Sequence, residues 1–404
     1  MRKMMGASLL LAGTCIGAGM LALPVTTAPS GFLWSLVLLV AAWIFMTYTA
    51  HLVIEASLWM PKGTNYVSMA RNTLGAGGGI VTWCCFLLLL YALMVAYMTA
   101  GGAIVSSAFA WRGIHLTTWE SYLPWVSVFA VIIYMGVNLT DVINRILMFG
   151  LIVSFALLAT FVSPHVKTVN LVAPGHARYM LAALPVLLAS FGFHIVLPGM
   201  RGYLDGRVRP LRQMIFLGSV IPLLIYVLWE VLIFGVVSRQ GAHGLLAILN
   251  SGQPTHLLTH TLITISQSQT IGMVARFFAF FAITSSFVGV SLGLFDLLAD
   301  GFKASDGAIA RMFIAALTFV PPFIFALAYP QGFIMALGYA GVFVAVLHGI
   351  LPAIMVWSGR YVKKDLAKGY RVIGGKFVLA LVCVIALLVI YAQVGVNLHW
   401  IARV

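Results

Sequence analysis

Long apolar runs, each cut off by a short polar stretch, repeat along the whole chain. Most reach the roughly 20 residues a helix needs to cross a bilayer. None shows the strict alternation, in segments of about ten residues, of a membrane barrel strand. The pattern predicts eleven spans, at about 6–28, 32–58, 79–109, 122–138, 143–164, 178–200, 214–237, 272–299, 309–328, 331–357 and 376–397. Arg2 and Lys3 lead straight into the first apolar run, which is read as span one rather than a cleaved leader. The stretch 239–271 is long for a loop and sets Thr255, Thr259, His260 and Thr261 among Leu and Ile, which predicts short helices lying over one face.

Composition sharpens this into an all-α membrane protein. Hydrophobic residues make up 62% of the chain and charged residues 8%, against about 25% charged in a soluble domain. Lipid is therefore the expected solvent. A net charge of +14 would suggest nucleic acid in a soluble chain; here the basic residues fall in loops and set orientation, so no nucleic-acid partner is expected. With the N-terminus in the cytoplasm, Arg112, Lys167, Arg178, Arg239, Arg276 and Arg403 fall outside and the rest of the 23 Lys and Arg fall inside. Eleven spans then put the C-terminus outside. Cys15, Cys84, Cys85 and Cys383 all lie in apolar runs and read as small buried hydrophobes, with no disulfide framework and no metal ligands beside them. No cofactor or metal is expected.

Two spans are poor helices. Span one reads Ala12-Gly13-Thr14-Cys15-Ile16-Gly17-Ala18-Gly19-Met20 with Pro24 beyond, and span six reads Ser190-Phe191-Gly192-Phe193-His194 between Pro185 and Pro198. Each glycine costs a helix about 1 kcal/mol relative to Ala. Glycines of this kind also serve close helix packing, and prolines simple kinks. Their positions favour more, since each opens a set of five spans. That predicts an inverted repeat, 1–165 and 178–357, with 376–397 as an additional eleventh helix. The breaks then meet at the bilayer midplane, where free N–H groups suit a carboxylate and free carbonyls an ammonium.

The stretch Ala12 to Pro24, the Ser190-Phe-Gly-Phe-His194 centre, the run Leu292 to Asp300 and Tyr329-Pro-x-Gly-Phe-x-Met-Ala-Leu-Gly-Tyr-Ala-Gly341 together resemble the hydroxy and aromatic amino acid permeases over nearly the whole chain. The Phe-Gly-Phe-His form resembles the aromatic branch more than the serine and threonine branch, and the chain as a whole is most similar to the tyrosine-specific members. The resemblance implies a leucine-transporter-like fold, residence in a bacterial inner membrane, and uptake of an aromatic amino acid by proton symport with alternating access.

On that frame the substrate carboxylate is expected at the N–H groups around Gly17, Ala18 and Gly19, with Thr14 and Cys15 beside them. The ammonium is expected at carbonyls of Ile16 and of the Ser190–Phe191–Gly192 turn. Tyr91, Met94, Tyr97 and Met98 offer walls for an aromatic ring, and Phe191 and Phe193 a cover. His194 suits a proton relay or a bond to a substrate hydroxyl, and equally a neutral ring held by a carbonyl. Glu230 lies deep enough to carry a proton or to hold helices together as a neutral acid. His51 with Glu55, and Asp296 with Asp300, share helix faces near the inner boundary, as a gate or an ion network that Arg145 could join. Thr284, Ser285 and Ser286 resemble the place where sodium-coupled relatives of this fold bind Na⁺, so sodium stays open beside the proton.

Other classes fit less well. A channel wants a continuous polar stripe or charged rings, and the spans carry only scattered polar positions. An embedded enzyme wants clustered ligands or a Ser/His pair, and a nucleotide-driven pump a phosphate-binding Gly-rich loop; neither pattern is present.

Overall fold

The computed structural model describes residues 2–110, 112–251, 254–304, 307–330, 332–363 and 369–401. Among them every regular element is helical. Lys364, Lys368 and Arg403, used in the charge assignment, and the side chain of Thr255 lie outside the described residues.

The helices are α1 (Arg2–Cys15), α2 (Ala18–Thr27), α3 (Phe32–Leu58), α4 (Tyr66–Leu74), α5 (Ala76–Ala110), α6 (Thr118–Met135), α7 (Val137–Val162), α8 (Thr168–Leu171) and α9 (Met180–Ser190). They continue as α10 (Leu197–Tyr203), α11 (Val208–Val236), α12 (Leu245–Asn250), α13 (Pro254–Ser266), α14 (Gln269–Phe302), α15 (Ala308–Ala328), α16 (Phe333–Val344), α17 (Leu351–Trp357) and α18 (Gly375–Asn397). By length and composition the described residues hold nine single spans, and α1 with α2, bent by 55°, makes ten. The remaining predicted span, 122–138, falls on α6, whose first turn carries Glu120 and is the least apolar. Gly136, at φ +112°, turns the chain directly from α6 into α7; a side chain there would strain the backbone.

Two wide π-helical segments, Ala345–Ile350 and Ser358–Val362, flank α17 and join α16 to the loop before α18. The predicted short helices after α11 are α12 and α13, which pack on α2, with α13 also on α14 and α5.

The core is built by α1 on α11, α14 on α7 and α5, and α16 on α5 and α9. The rim is apolar too: Phe149 on α7 is 70% exposed and Phe377 on α18 79% exposed. Such surface fits lipid rather than water. The cysteines do not behave alike. Cys15 is buried, Cys85 and Cys383 are half-buried, and Cys84 is exposed. The apolar run holding Cys84 is continuous on all sides of the helix, so its sequence gave no cue to which residues face outward.

Candidate functional site

The first break leaves Ile16 and Gly17 outside any helix, with Gly17 extended at φ −177°. Its consequence is a set of backbone donors without helical acceptors. Ala18 N–H donates to Ser286 Oγ on α14 at 2.9 Å, and Met20 N–H returns to the Gly17 carbonyl at 3.1 Å. The N–H groups of Gly17 and Gly19 have no partner among the described residues. A Cβ on Gly17 would lie 2.2 Å from Ser286 Oγ, and one on Gly19 would lie 3.1 Å from Ser190 Oγ. Glycine is what lets α14 and α9 approach this backbone. Thr14 is exposed and its hydroxyl bonds back to the Leu11 carbonyl at 2.7 Å, so it offers no free donor at the break.

The second break follows Ser190. Phe191 and Gly192 form a turn and Phe193–Val196 a short 3-10 helix before α10. Gly19 against Ser190 is where the two breaks touch. Tyr226 of α11, fully buried, places its hydroxyl 2.6 Å from the Cys15 carbonyl and 2.7 Å from the Ser190 carbonyl. One phenolic proton thus holds both breaks together. The carbonyl at Ser190 is occupied, and the Phe191 carbonyl accepts from Phe193 N–H at 2.9 Å. Phe191 packs edge-on against Tyr226, with centroids 5.1 Å apart, and Phe193 stacks on His194 at 4.9 Å. Both phenyls are core residues here, not a cover over open space.

His194 is fully buried and lies 2.9 Å from Thr49 Oγ1 through Nε2. Its ring is stacked, 4.4 Å between centroids and 7° between planes, on His348 in the first π-helical segment.

Of the α5 candidates, Tyr97 is buried beside Ser286. Tyr91 turns away: its hydroxyl donates to the Leu317 carbonyl of α15 at 2.8 Å, one α-helical face off from Tyr97. Met94 and Met98 are fully packed, Met94 sulfur accepting from Ser291 Oγ at 3.1 Å. The aromatic wall next to Ser286 comes instead from α6. Trp125 contacts Phe129, Phe280 and Phe287. Ser285 Oγ donates to the Ala282 carbonyl and Thr284 Oγ1 to the Phe280 carbonyl, so those hydroxyls serve their own helix.

The charged candidates separate. Glu230 is fully buried and accepts from Ser35 Oγ at 2.9 Å and Thr27 Oγ1 at 3.2 Å, tying α11 to α2 and α3. Glu55 pairs with Arg360, whose Nε lies 2.6 Å from Oε1, and also accepts Val372 N–H at 2.6 Å. His51 bonds the Thr47 carbonyl through Nδ1 at 2.7 Å and takes no part in that pair. Arg145 joins none of the expected acids; it makes an exposed pair with Asp141 one turn away, at 2.6 Å. Asp296 and Asp300 are exposed and form no ion pair among the described residues.

A cavity of about 870 Å³ opens at the C-terminal end of α5, away from the N-terminus. Its walls include Ala100, Phe109, Phe277 and Phe280, with Arg112 and Arg276 as its cations. Ala100 stands one turn from Tyr97, and Phe280 about 9 Å along α14 from Ser286. At the other end, Gly289 and Gly293 of α14 face open space.

Sequence reasoning missed Tyr226, His348, Arg360 and Trp125 as members of these clusters. His348 carried a usable signal, an ionisable residue inside an apolar run. Arg360 read as a loop cation, and an aromatic residue in a span carries no signal of its own.

The profile of the tryptophan/tyrosine permease family matches residues 1–393. A tyrosine-specific transport system 1 of Haemophilus influenzae is 36% identical over 96% of this chain and 96% of its own length. A tryptophan-specific transport protein of the same organism is 33% identical over 99% of this chain and 97% of its own. A second tyrosine-specific system from that organism is 35% identical, covering 96% and 95%.

Proposed function

We propose, from the premise that this chain belongs to the tryptophan/tyrosine permease family, that it imports an aromatic amino acid, tyrosine first, across the bacterial inner membrane by proton symport with alternating access. The observation that carries this reading is the pair of unpartnered N–H groups at Gly17 and Gly19, beside the second break and the α11 tyrosine. Donors left open at a helix start suit a carboxylate. The Ile16 carbonyl is the remaining acceptor for the ammonium, and Tyr97 with the Trp125–Phe287 wall lies on the side where a ring would rest.

A repeat of 1–165 and 178–357, with α18 added, accounts for why both breaks open a five-span set. The Arg112 cavity is then one route of access. The wide majority of Lys and Arg on the N-terminal side supports a cytoplasmic N-terminus and an external C-terminus. Proton coupling is put before sodium on the family resemblance, with the hydroxyls of residues 284–286 already bonded, Ser286 to Ala18 N–H and Ser285 and Thr284 to their own helix. His194 and Glu230 are the buried ionisable groups on the breaks and their supports, and are the carriers to test.

The experiment is labelled tyrosine uptake into proteoliposomes under an imposed pH gradient or an imposed sodium gradient, with tryptophan, phenylalanine and serine as competitors. Proton-driven accumulation blocked by aromatic competitors is expected. Tryptophan outcompeting tyrosine reassigns the substrate within the family, and accumulation under sodium alone overturns the coupling.

A further inference from the structure

We infer that His194 and His348 together form a one-proton site, and that the coupled proton binds to this stacked pair rather than to His194 alone. The inference rests on the proton-symport reading above and adds the site.

The Thr49 hydroxyl donates to the Met46 carbonyl at 3.1 Å, and a hydroxyl has one proton to give. The same oxygen lies 2.9 Å from His194 Nε2, so Nε2 is the engaged ring nitrogen. With Nε2 donating to that oxygen, Nδ1 of the neutral ring is a bare lone pair. It has no partner, and neither ring nitrogen of His348 has one. Three buried imidazole nitrogens without partners, on two touching rings, is a costly arrangement unless it serves something.

Nothing nearby satisfies them. Among the described residues, Tyr66 is the titratable side chain in ring contact with the pair, 6.5 Å from His348, and its hydroxyl is committed to the Leu347 carbonyl at 2.5 Å. Phe193 covers the other face of His194. At Gly349, α18 brings Ala386 and α3 brings Phe45. The nearest ion pair, Glu55 with Arg360, lies about six residues further along α3 and neutralises itself.

The stack sets the stoichiometry. Parallel rings 4.4 Å apart cannot both be cationic in a medium this apolar, because the like charges repel at close range. One imidazolium stacked on one neutral imidazole is acceptable, since the π face of the neutral ring attracts the cation. A proton entering from water forms one N–H bond at Nδ1 of His194 or at the free nitrogen of His348, breaks one O–H bond of its carrier, and leaves by the reverse step. His194 sits in the second helix break and His348 in a π-helical segment. Both are irregular backbone of the kind that moves when access alternates. A proton on either ring of the stack couples α9–α10 to the α16–α17 junction.

The test uses His348→Gln and His194→Gln in proteoliposomes with a pH-sensitive dye trapped inside. Two quantities are read: substrate-induced proton flux with pH-gradient-driven accumulation, and counterflow exchange of labelled tyrosine with no gradient. In His348→Gln, accumulation and proton flux are expected to fall by about tenfold or more, within ordinary coupling between two ligands, while counterflow persists. A merely structural histidine would lower both together. If His348→Gln loses counterflow as well, His348→Phe keeps a flat ring in the stack and decides on the same two readings. Proton flux at wild-type level in the His348 variant overturns the pair. No substrate-induced proton flux in the wild type overturns the symport reading itself, and the pair with it.

Discussion

Tyr226 spends one phenolic proton on two buried carbonyls, and Gly17 spends its missing side chain on one close approach. Tyr226→Phe leaves both carbonyls without that donor. An unmet buried group costs about 1–3 kcal/mol, so the variant is expected to melt at lower temperature in detergent and to transport poorly, read by intrinsic fluorescence and uptake. An unchanged melting temperature would show that the carbonyls find other partners. Gly17→Ala puts a carbon where Ser286 Oγ stands, 2.2 Å away, and is expected to abolish tyrosine binding in a scintillation proximity assay while Gly77→Ala, with nothing within 4 Å, leaves it intact. At this scale the sequence was informative where chemistry was rare. Glycines crowded into one apolar run, or a histidine inside another, could be read directly. Tyr226, Trp125 and the turning away of Tyr91 could not, because aromatic residues are ordinary in spans and a rotation of one helical face is invisible in an apolar run.

Among the elements, the two breaks in α1–α2 and α9–α10 were legible from composition, while the π-helical segments were not. The second of these, Ser358–Val362, carries Arg360 to Glu55 on α3, with Val372 closing the cluster. The side chains are 5% and 0% exposed. Removing one partner strands a buried charge, at about 3–5 kcal/mol. Arg360→Gln is therefore expected to be much less stable than wild type. The double variant Glu55→Leu, Arg360→Met is expected to recover most of the loss, since an apolar pair of similar volume removes the need for either charge. Thermal melts of the three proteins check this; a double variant no better than the single one would point to a role for the charges beyond the pair. The sequence grouped Glu55 with His51 by spacing along one helix, and only tertiary packing across more than three hundred residues could supply its actual partner.

For the whole molecule, the charge distribution makes an orientation claim. With Cys84, Cys85 and Cys383 replaced by Ser and the buried Cys15 kept, a Gln240→Cys variant is expected to react with a membrane-impermeant maleimide on intact cells. A Lys62→Cys variant is expected to react only after the membrane is opened. The reverse pattern would invert the orientation and place the Arg112 cavity on the cytoplasmic side. The helical, lipid-bathed architecture was legible because apolar length alone sets it. The span at 122–138 is carried by α6, which has Glu120 in its first turn and is shorter than α5 and α7.

The wide turn at Ala345–Ile350 has a consequence for inheritance. Such a turn holds one residue more than a regular helix of the same span. Loss of a single codon between Ala345 and Leu347 would close it to ordinary helix. Leu351–Trp357 would keep its register against α3 and α18, while His348 would be turned out of its place on His194. A lineage can therefore shed or regain the stacked imidazole by one in-frame triplet, with the rest of the protein left in place.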